Sequence, residues 1–189
     1  MTIDTSSPSD AAIKALAARI DRPVVLVGMM GVGKSTIGRK LAQLLALPFT
    51  DADDAIEDAA QMSIPEIFAQ FGEEEFRDGE RRVIARLLES PPGILATGGG
   101  AFAQDETRRL ILEKGVAIWL DCDVRTLVER VGRKDTRPLL RDGDPAEILA
   151  RLKREREPFY AQAPLHVLSD SGPHAETVNR ILRELDQWL

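Results

Sequence analysis

Short apolar runs alternate with longer amphipathic stretches along most of this chain. Val24–Val27, Ile94–Ala96, Val116–Leu120 and Leu165–Leu168 are each too short for a helix and read as buried strands. Pro48–Thr50 starts a further strand, second in chain order. Between them the apolar positions recur at helical spacing. Helices are predicted over Ser35–Leu45, about Asp54–Ala60, Ile64–Gln70, Glu73–Glu89, Asp105–Lys114 and Val124–Val131. Another precedes the last strand, and a closing helix runs from about Ala175 to Leu189. Ala11–Ile20 reads as a short amphipathic helix capped by Ser9 or Asp10, in a tail without visible chemistry. Strands alternating with helices predict an α/β fold, a parallel sheet with helices on both faces. Ligands in such sheets bind at the carboxyl ends of the strands. Gly28, Asp51, Gly98 and Asp121 all fall just past a predicted strand end, on that one edge.

Composition narrows this frame. The chain has 189 residues, room for one domain with a sizeable core. An apolar fraction of 43% excludes a disordered chain. The net charge of -6 disfavours nucleic acid as a partner, because such binding needs phosphate neutralisation. Positive charge is instead local. Nine basic residues lie from Arg130 to Arg156, against five acids. The single cysteine, Cys122, follows an apolar run and reads as an inert core thiol. No stretch has membrane-spanning length and no leader pattern opens the chain, so the expected compartment is the cytoplasm.

The strongest chemical signal is Gly28-Met29-Met30-Gly31-Val32-Gly33-Lys34-Ser35, which fits G-x-x-x-x-G-K-[ST]. Glycines let the backbone curl around a phosphate, so that successive amides face inward as an anion nest. The following helix adds its positive end. Lys34 supplies a cation to the β- and γ-phosphates, and the Ser35 hydroxyl can ligate Mg²⁺. A strand before the motif and a helix after it are the context it requires.

Other positions admit two readings each. Asp51-Ala52-Asp53 ends the second strand; on an extended segment its carboxylates would face opposite ways, one to a metal and one to an acceptor hydroxyl. A solvated acidic turn is the other reading. Gly98-Gly99-Gly100 is either a flexible turn or a place where a ligand comes close. Arg77 and Arg156 are either surface charges or a bidentate clamp for a carboxylate. Arg137, in the charged stretch over about 132–145, is either solvated or carried by a mobile lid onto the transferring phosphate. His166 and His174 lack metal-ligand spacing and read as structural or exposed, and Trp119 reads as core.

In order and in register, these pieces resemble the shikimate kinase family. The likeness runs from about Pro23 to the C-terminus. It rests on G-M-M-G-V-G-K-S-T at Gly28–Thr36, D-A-D at Asp51–Asp53 and E-F-R-D-G-E at Glu75–Glu80. It continues with T-G-G-G at Thr97–Gly100, T-R-P-L-L at Thr136–Leu140 and R-E-P-F-Y at Arg156–Tyr160. The resemblance implies a three-layer P-loop kinase fold, with five parallel strands in the order 2-3-1-4-5 and a mobile lid. It divides the chain into an extension over 1–22 and one domain over 23–189. It implies phosphorylation of the 3-hydroxyl of shikimate by ATP with Mg²⁺, in a monomer. ATP would lie on Gly31, Val32, Gly33, Lys34, Ser35 and Thr36, with Arg130 and Pro173 flanking the adenine. Ser35 would bind the metal directly and Asp51 through water. Asp53, Arg77, Gly99, Gly100 and Arg156 would hold shikimate. Lys34, Asp53 and Arg137 would be catalytic, and Phe68, Phe76 and Pro138 would close the pocket. The adenine loop, Ser169–Pro173, matches the family pattern only loosely. A kinase of the same fold acting on gluconate, and a non-catalytic ATP-dependent regulator, are the alternatives.

Overall fold

A computed structural model of the chain describes residues 8–132, 143–169 and 172–189. Its centre is strand β1, Val24–Val27, in which all four residues are fully buried. β-branched side chains pack well on a pleated surface, and burial on both faces calls for apolar residues at every position rather than alternate ones. Around β1 lie β2 (Phe49–Asp51), β3 (Ile94–Ala96), β4 (Val116–Asp121) and β5 (Leu165–Leu168). All pairings are parallel and the order is β2-β3-β1-β4-β5, the order the family resemblance implied. From β1 the chain passes to the edge strand β2, returns inward through β3 and then crosses β1 to the other side. The crevice at this reversal opens at the carboxyl end of β1. Register puts Asp51, Ala96 and Leu26 level with one another, so the loops leaving β2, β3 and β1 emerge side by side.

Helices α2 (Lys34–Leu45) and α8 (His174–Trp188) pack together, with α1 (Asp10–Arg19) against both. Ser9 caps α1 by accepting from the Ala12 amide. Leu16 and Ile20 enter the main core, and Arg19 pairs with Asp186 at 2.6 Å. The tail helix is therefore packed into the body of the protein. Helices α4 (Ile64–Leu87), α5 (Asp105–Lys114) and α7 (Pro145–Tyr160) meet around a 3₁₀ turn at Ala101–Ala103 that the sequence pattern did not predict. Helix α6, Val124–Val131, packs on α7.

The two predicted helices over 64–89 form one bent unit. A capping box, Ser63 with Glu66, starts it, and it turns sharply at Gly72 (φ 83°, ψ 179°). With α3 (Ala52–Ala60) it encloses a separate small core of Ile56, Ile67 and Phe76, with Phe68, Met62 and Val83 packed against it. Trp119 and Cys122 are buried, as expected. Burial pushes the Cys122 thiol up to about 11, which keeps it protonated and inert.

Candidate active site

A cavity of about 730 Å³ opens at the carboxyl edge of the sheet, lined by residues from stretches spread between Met30 and His174. One half of its wall is the loop between β1 and α2. Gly31 (φ 83°) and Gly33 (φ 103°) take the left-handed conformations that turn successive amides toward the cavity. A side chain at Gly28 would strike the Leu120 carbonyl at 2.2 Å, so this loop can leave the sheet only through a glycine. The intervening residues anchor it. Met29 and Val32 are buried, and the Val32 carbonyl accepts hydrogen bonds from Arg130 (2.9 Å) and Ser169 (3.1 Å). Lys34 is 8% exposed, and its ammonium donates to the Gly28 and Met29 carbonyls at 2.7 and 2.9 Å. The cation is thus held over the amide nest.

Ser35, in the first turn of α2, donates to Asp51 Oδ2 at 2.5 Å. Asp51 does not sit on an extended segment with Asp53. It ends β2 and caps α3, its Oδ1 accepting from the Asp53 amide at 3.1 Å. Helical winding, not strand alternation, therefore separates the two carboxylates, and both line the same cavity. Ser35 and Asp51 are hard oxygen donors side by side. That set suits Mg²⁺, which is held by one or two protein groups together with phosphate oxygens and water.

The other half of the wall is assembled from side chains. Arg77, on α4, donates to Glu80 Oε2 at 2.7 Å and to Glu73 at 3.3 Å, and lies over the Phe76 ring at 5.1 Å. Arg156, on α7, donates to the Gly99 carbonyl at 3.0 Å. Tyr160, one turn further along, donates to the same carbonyl. Burial pushes its phenol up to about 12, so it remains a donor. The glycine run is explained by these neighbours rather than by unusual φ. A Cβ on Gly98 would lie 2.9 Å from Glu80 Oε1 and 3.0 Å from Asp53 Oδ1. One on Gly99 would meet the Met30 amide at 3.0 Å, and one on Gly100 the Arg77 guanidinium at 2.5 Å. Two guanidinium groups, a carboxylate and bare backbone therefore face one space.

Glu80 was not singled out from the sequence. It is 1% exposed, and burial raises its carboxyl against the opposing pull of Arg77. The signal was present: Phe76, Glu80 and Ile84 form one buried stripe at helical spacing, and an acid in such a stripe needs a partner. Tyr160 lies four residues after Arg156, on the same face of α7. His174 is not merely structural or exposed: it stands in the cavity wall. Asp121, by contrast, pairs with Lys153 and faces His166 at 3.5 Å, away from the cavity.

Of the predicted site residues, Gly31, Gly33, Lys34, Ser35, Thr36, Asp51, Asp53, Arg77, Gly99, Gly100, Arg130 and Arg156 all line the cavity. Val32 serves as an anchor behind it, and Pro173 is not in the wall but immediately precedes His174, the first residue of α8. Phe76 lines it, with the Phe68 ring tilted against it at a centroid distance of 4.5 Å. Arg137 and Pro138, with most of the expected lid, lie outside the described residues.

A phosphate-binding loop at the switch point of a five-stranded parallel sheet, facing a pocket of paired arginines and carboxylates, defines a P-loop small-molecule kinase. Comparison with known proteins makes the assignment specific. The family model for shikimate kinase matches residues 30–186. A shikimate kinase of Novosphingobium aromaticivorans is 62% identical over the whole of both chains. One from Caulobacter vibrioides is 57% identical, over 88% of this chain and 83% of its own. The solved structure of the shikimate kinase of Acinetobacter baumannii, in complex with shikimate, superposes with a TM-score of 0.84. It has 34% identity, over 93% of this chain and 96% of that one. The chain belongs to the shikimate kinase family. It is an enzyme, a kinase that phosphorylates shikimate.

Proposed function

We propose that the chain moves the γ-phosphoryl group of ATP to the 3-hydroxyl of shikimate, on the route to chorismate and the aromatic amino acids. The observation that carries this reading is a single cavity holding both Lys34 with its amide nest and the Asp53, Arg77 and Arg156 cluster. The loop amides of Gly31, Gly33, Lys34, Ser35 and Thr36 receive the β- and γ-phosphates. Ser35 directly, and Asp51 through water, hold Mg²⁺, which when bound neutralises phosphate charge. Arg77 and Arg156 grip the shikimate carboxylate, and their planar forks fix its orientation. Glu80 holds the Arg77 fork and offsets part of its charge.

Bound this way, the ring lies over Gly99 and Gly100, with the acceptor hydroxyl at Asp53. The hydroxyl oxygen forms a bond to the γ-phosphorus while the bond to the bridging β–γ oxygen breaks. The hydroxyl proton passes to the Asp53 carboxylate, and ADP leaves with the bridging oxygen. Lys34 follows the charge on the transferring group, and Arg137 joins it when the lid closes. Arg130 and Pro173 flank the adenine. No helix among the described residues is long and apolar enough to cross a membrane. The reading carries a monomer acting in the cytoplasm, with residues 23–189 as one catalytic domain.

ADP release measured against shikimate, gluconate and a panel of nucleoside monophosphates tests this reading. Release dependent on shikimate alone is expected; release with gluconate alone would overturn the acceptor assignment.

A further inference from the structure

His174 is the first residue of α8 and stands in the cavity wall beside the last glycine of the phosphate loop. Its Cε1 lies 3.3 Å, and its Nδ1 3.8 Å, from where a side chain on Gly33 would begin. Gly33 in turn caps α2, so the imidazole edge abuts the loop at the point where the helix starts. The ring is on the loop's side of the cavity. Arg130, from α6, and Lys40, from α2, are the cations that act on it. Burial first, and then these two cations, hold its protonation down.

The two ring nitrogens are not equivalent. Nδ1 is sealed from solvent and has no hydrogen-bond partner among the described residues. A neutral imidazole has one N–H and one bare lone pair. A buried lone pair is tolerated more often than a buried N–H without an acceptor. The proton therefore belongs on Nε2. That nitrogen is not sealed and has no acceptor among the described residues. A donor without an acceptor in the wall of an anion-binding cavity is half of a contact.

We propose that His174 is a nucleotide-binding residue whose Nε2–H donates to an oxygen of the nucleotide seated on the phosphate loop. This rests on the reading of the loop as the ATP site. It adds a direct contact one residue past Ser169–Pro173, the loop that follows the family pattern only loosely. Gly33 is then doubly constrained. It needs a left-handed φ, and it must stay bare to leave the imidazole edge its place.

Calorimetric titration of ADP into the full-length protein and two variants tests the contact. His174→Ala is expected to weaken ADP about tenfold, the loss of one hydrogen bond to a charged group. His174→Gln places an amide N–H where Nε2–H was and is expected to stay within about threefold of wild type. At pH 8 the KM for shikimate and the thermal midpoint should not move in either variant. Unchanged ADP affinity in His174→Ala overturns the proposal, as does an equal loss in both variants or a matching loss for shikimate. Wild-type protein that itself takes up no ADP would instead remove the nucleotide reading of the loop, and the contact with it.

Discussion

The two halves of the cavity are built on opposite plans. The nucleotide half is a contiguous stretch, Gly28 to Thr36, and it works mainly through backbone. Its amides are aimed by left-handed glycines and anchored by Met29 and Val32 in the main core. The acceptor half is gathered from Asp53, Arg77, the glycine run and Arg156, and it works through side chains. Part of it stands on a small core of its own, Ile56, Ile67 and Phe76. Backbone geometry can be encoded locally, because a glycine's φ belongs to the glycine. A carboxylate clamp cannot, because its two arms, Arg77 and Arg156, come from helices far apart in sequence and meet only after folding. The difference teaches which changes should touch one ligand and spare the other.

The largest separation is expected at Lys34. Removing the ammonium with Lys34→Ala should lower kcat by about 10³-fold, since it stabilises charge on the moving group. Shikimate binding, measured by calorimetry, should stay within a few-fold of wild type. A fall in shikimate affinity as large as the fall in kcat would mean the halves are not separable.

Arg156→Ala is the mirror experiment. Loss of one charged fork should raise the shikimate KM about 100-fold, with ADP affinity unchanged. Lysine at this position should recover only part of the loss, because a point charge does not reproduce the fork.

Gly100→Ala sharpens the comparison further. Its new methyl would begin 2.5 Å from the Arg77 guanidinium, the far end of a flexible side chain. Moving that end pulls the fork off the buried Glu80 carboxylate and out of line, so the shikimate KM should rise about tenfold and the thermal midpoint should fall, because Glu80 is left buried without its charge partner. An unchanged KM would show that the bare backbone at Gly100 has no part in placing Arg77.

The smallest effect belongs to the nucleotide half and depends on pH. His174 titrates below its usual range in the folded protein, so the unfolded chain takes up its proton first as pH falls. The favourable contribution is present above about pH 6.5. It is lost as pH drops through the folded-state value. Relative to His174→Gln, wild type should therefore lose thermal stability on going from pH 8 to pH 5. A pH-independent gap between the two would return the imidazole to an ordinary solvated state.

Much of the fold could be read from the chain, and for a physical reason. Fully buried strands such as Val24–Val27 and Val116–Leu120 leave continuous apolar runs, and the helices between them keep their period. The strand order could not be read from residues; it came from family likeness, because pairing is a tertiary choice. The phosphate loop was legible as a motif. Asp51 and Asp53 were legible as residue types, yet their geometry was not: whether a carboxylate caps a helix depends on where that helix starts. Glu80 went unread because its meaning lies in burial, which a charged residue conceals unless the stripe around it is traced. His174 carries no spacing pattern to mark it, because its place beside Gly33 joins positions far apart in the chain. Arg137 and the lid remain expectations of the family likeness, because they fall outside the described residues.

Asp53 is where the halves meet, and Asp53→Asn tests that junction most directly. Shikimate-dependent ADP release should fall about 10³-fold, because the amide cannot accept the hydroxyl proton, while ADP itself binds within about threefold of wild type. Turnover at the wild-type rate would contradict the account, leaving the phosphate loop without its partner across the cavity.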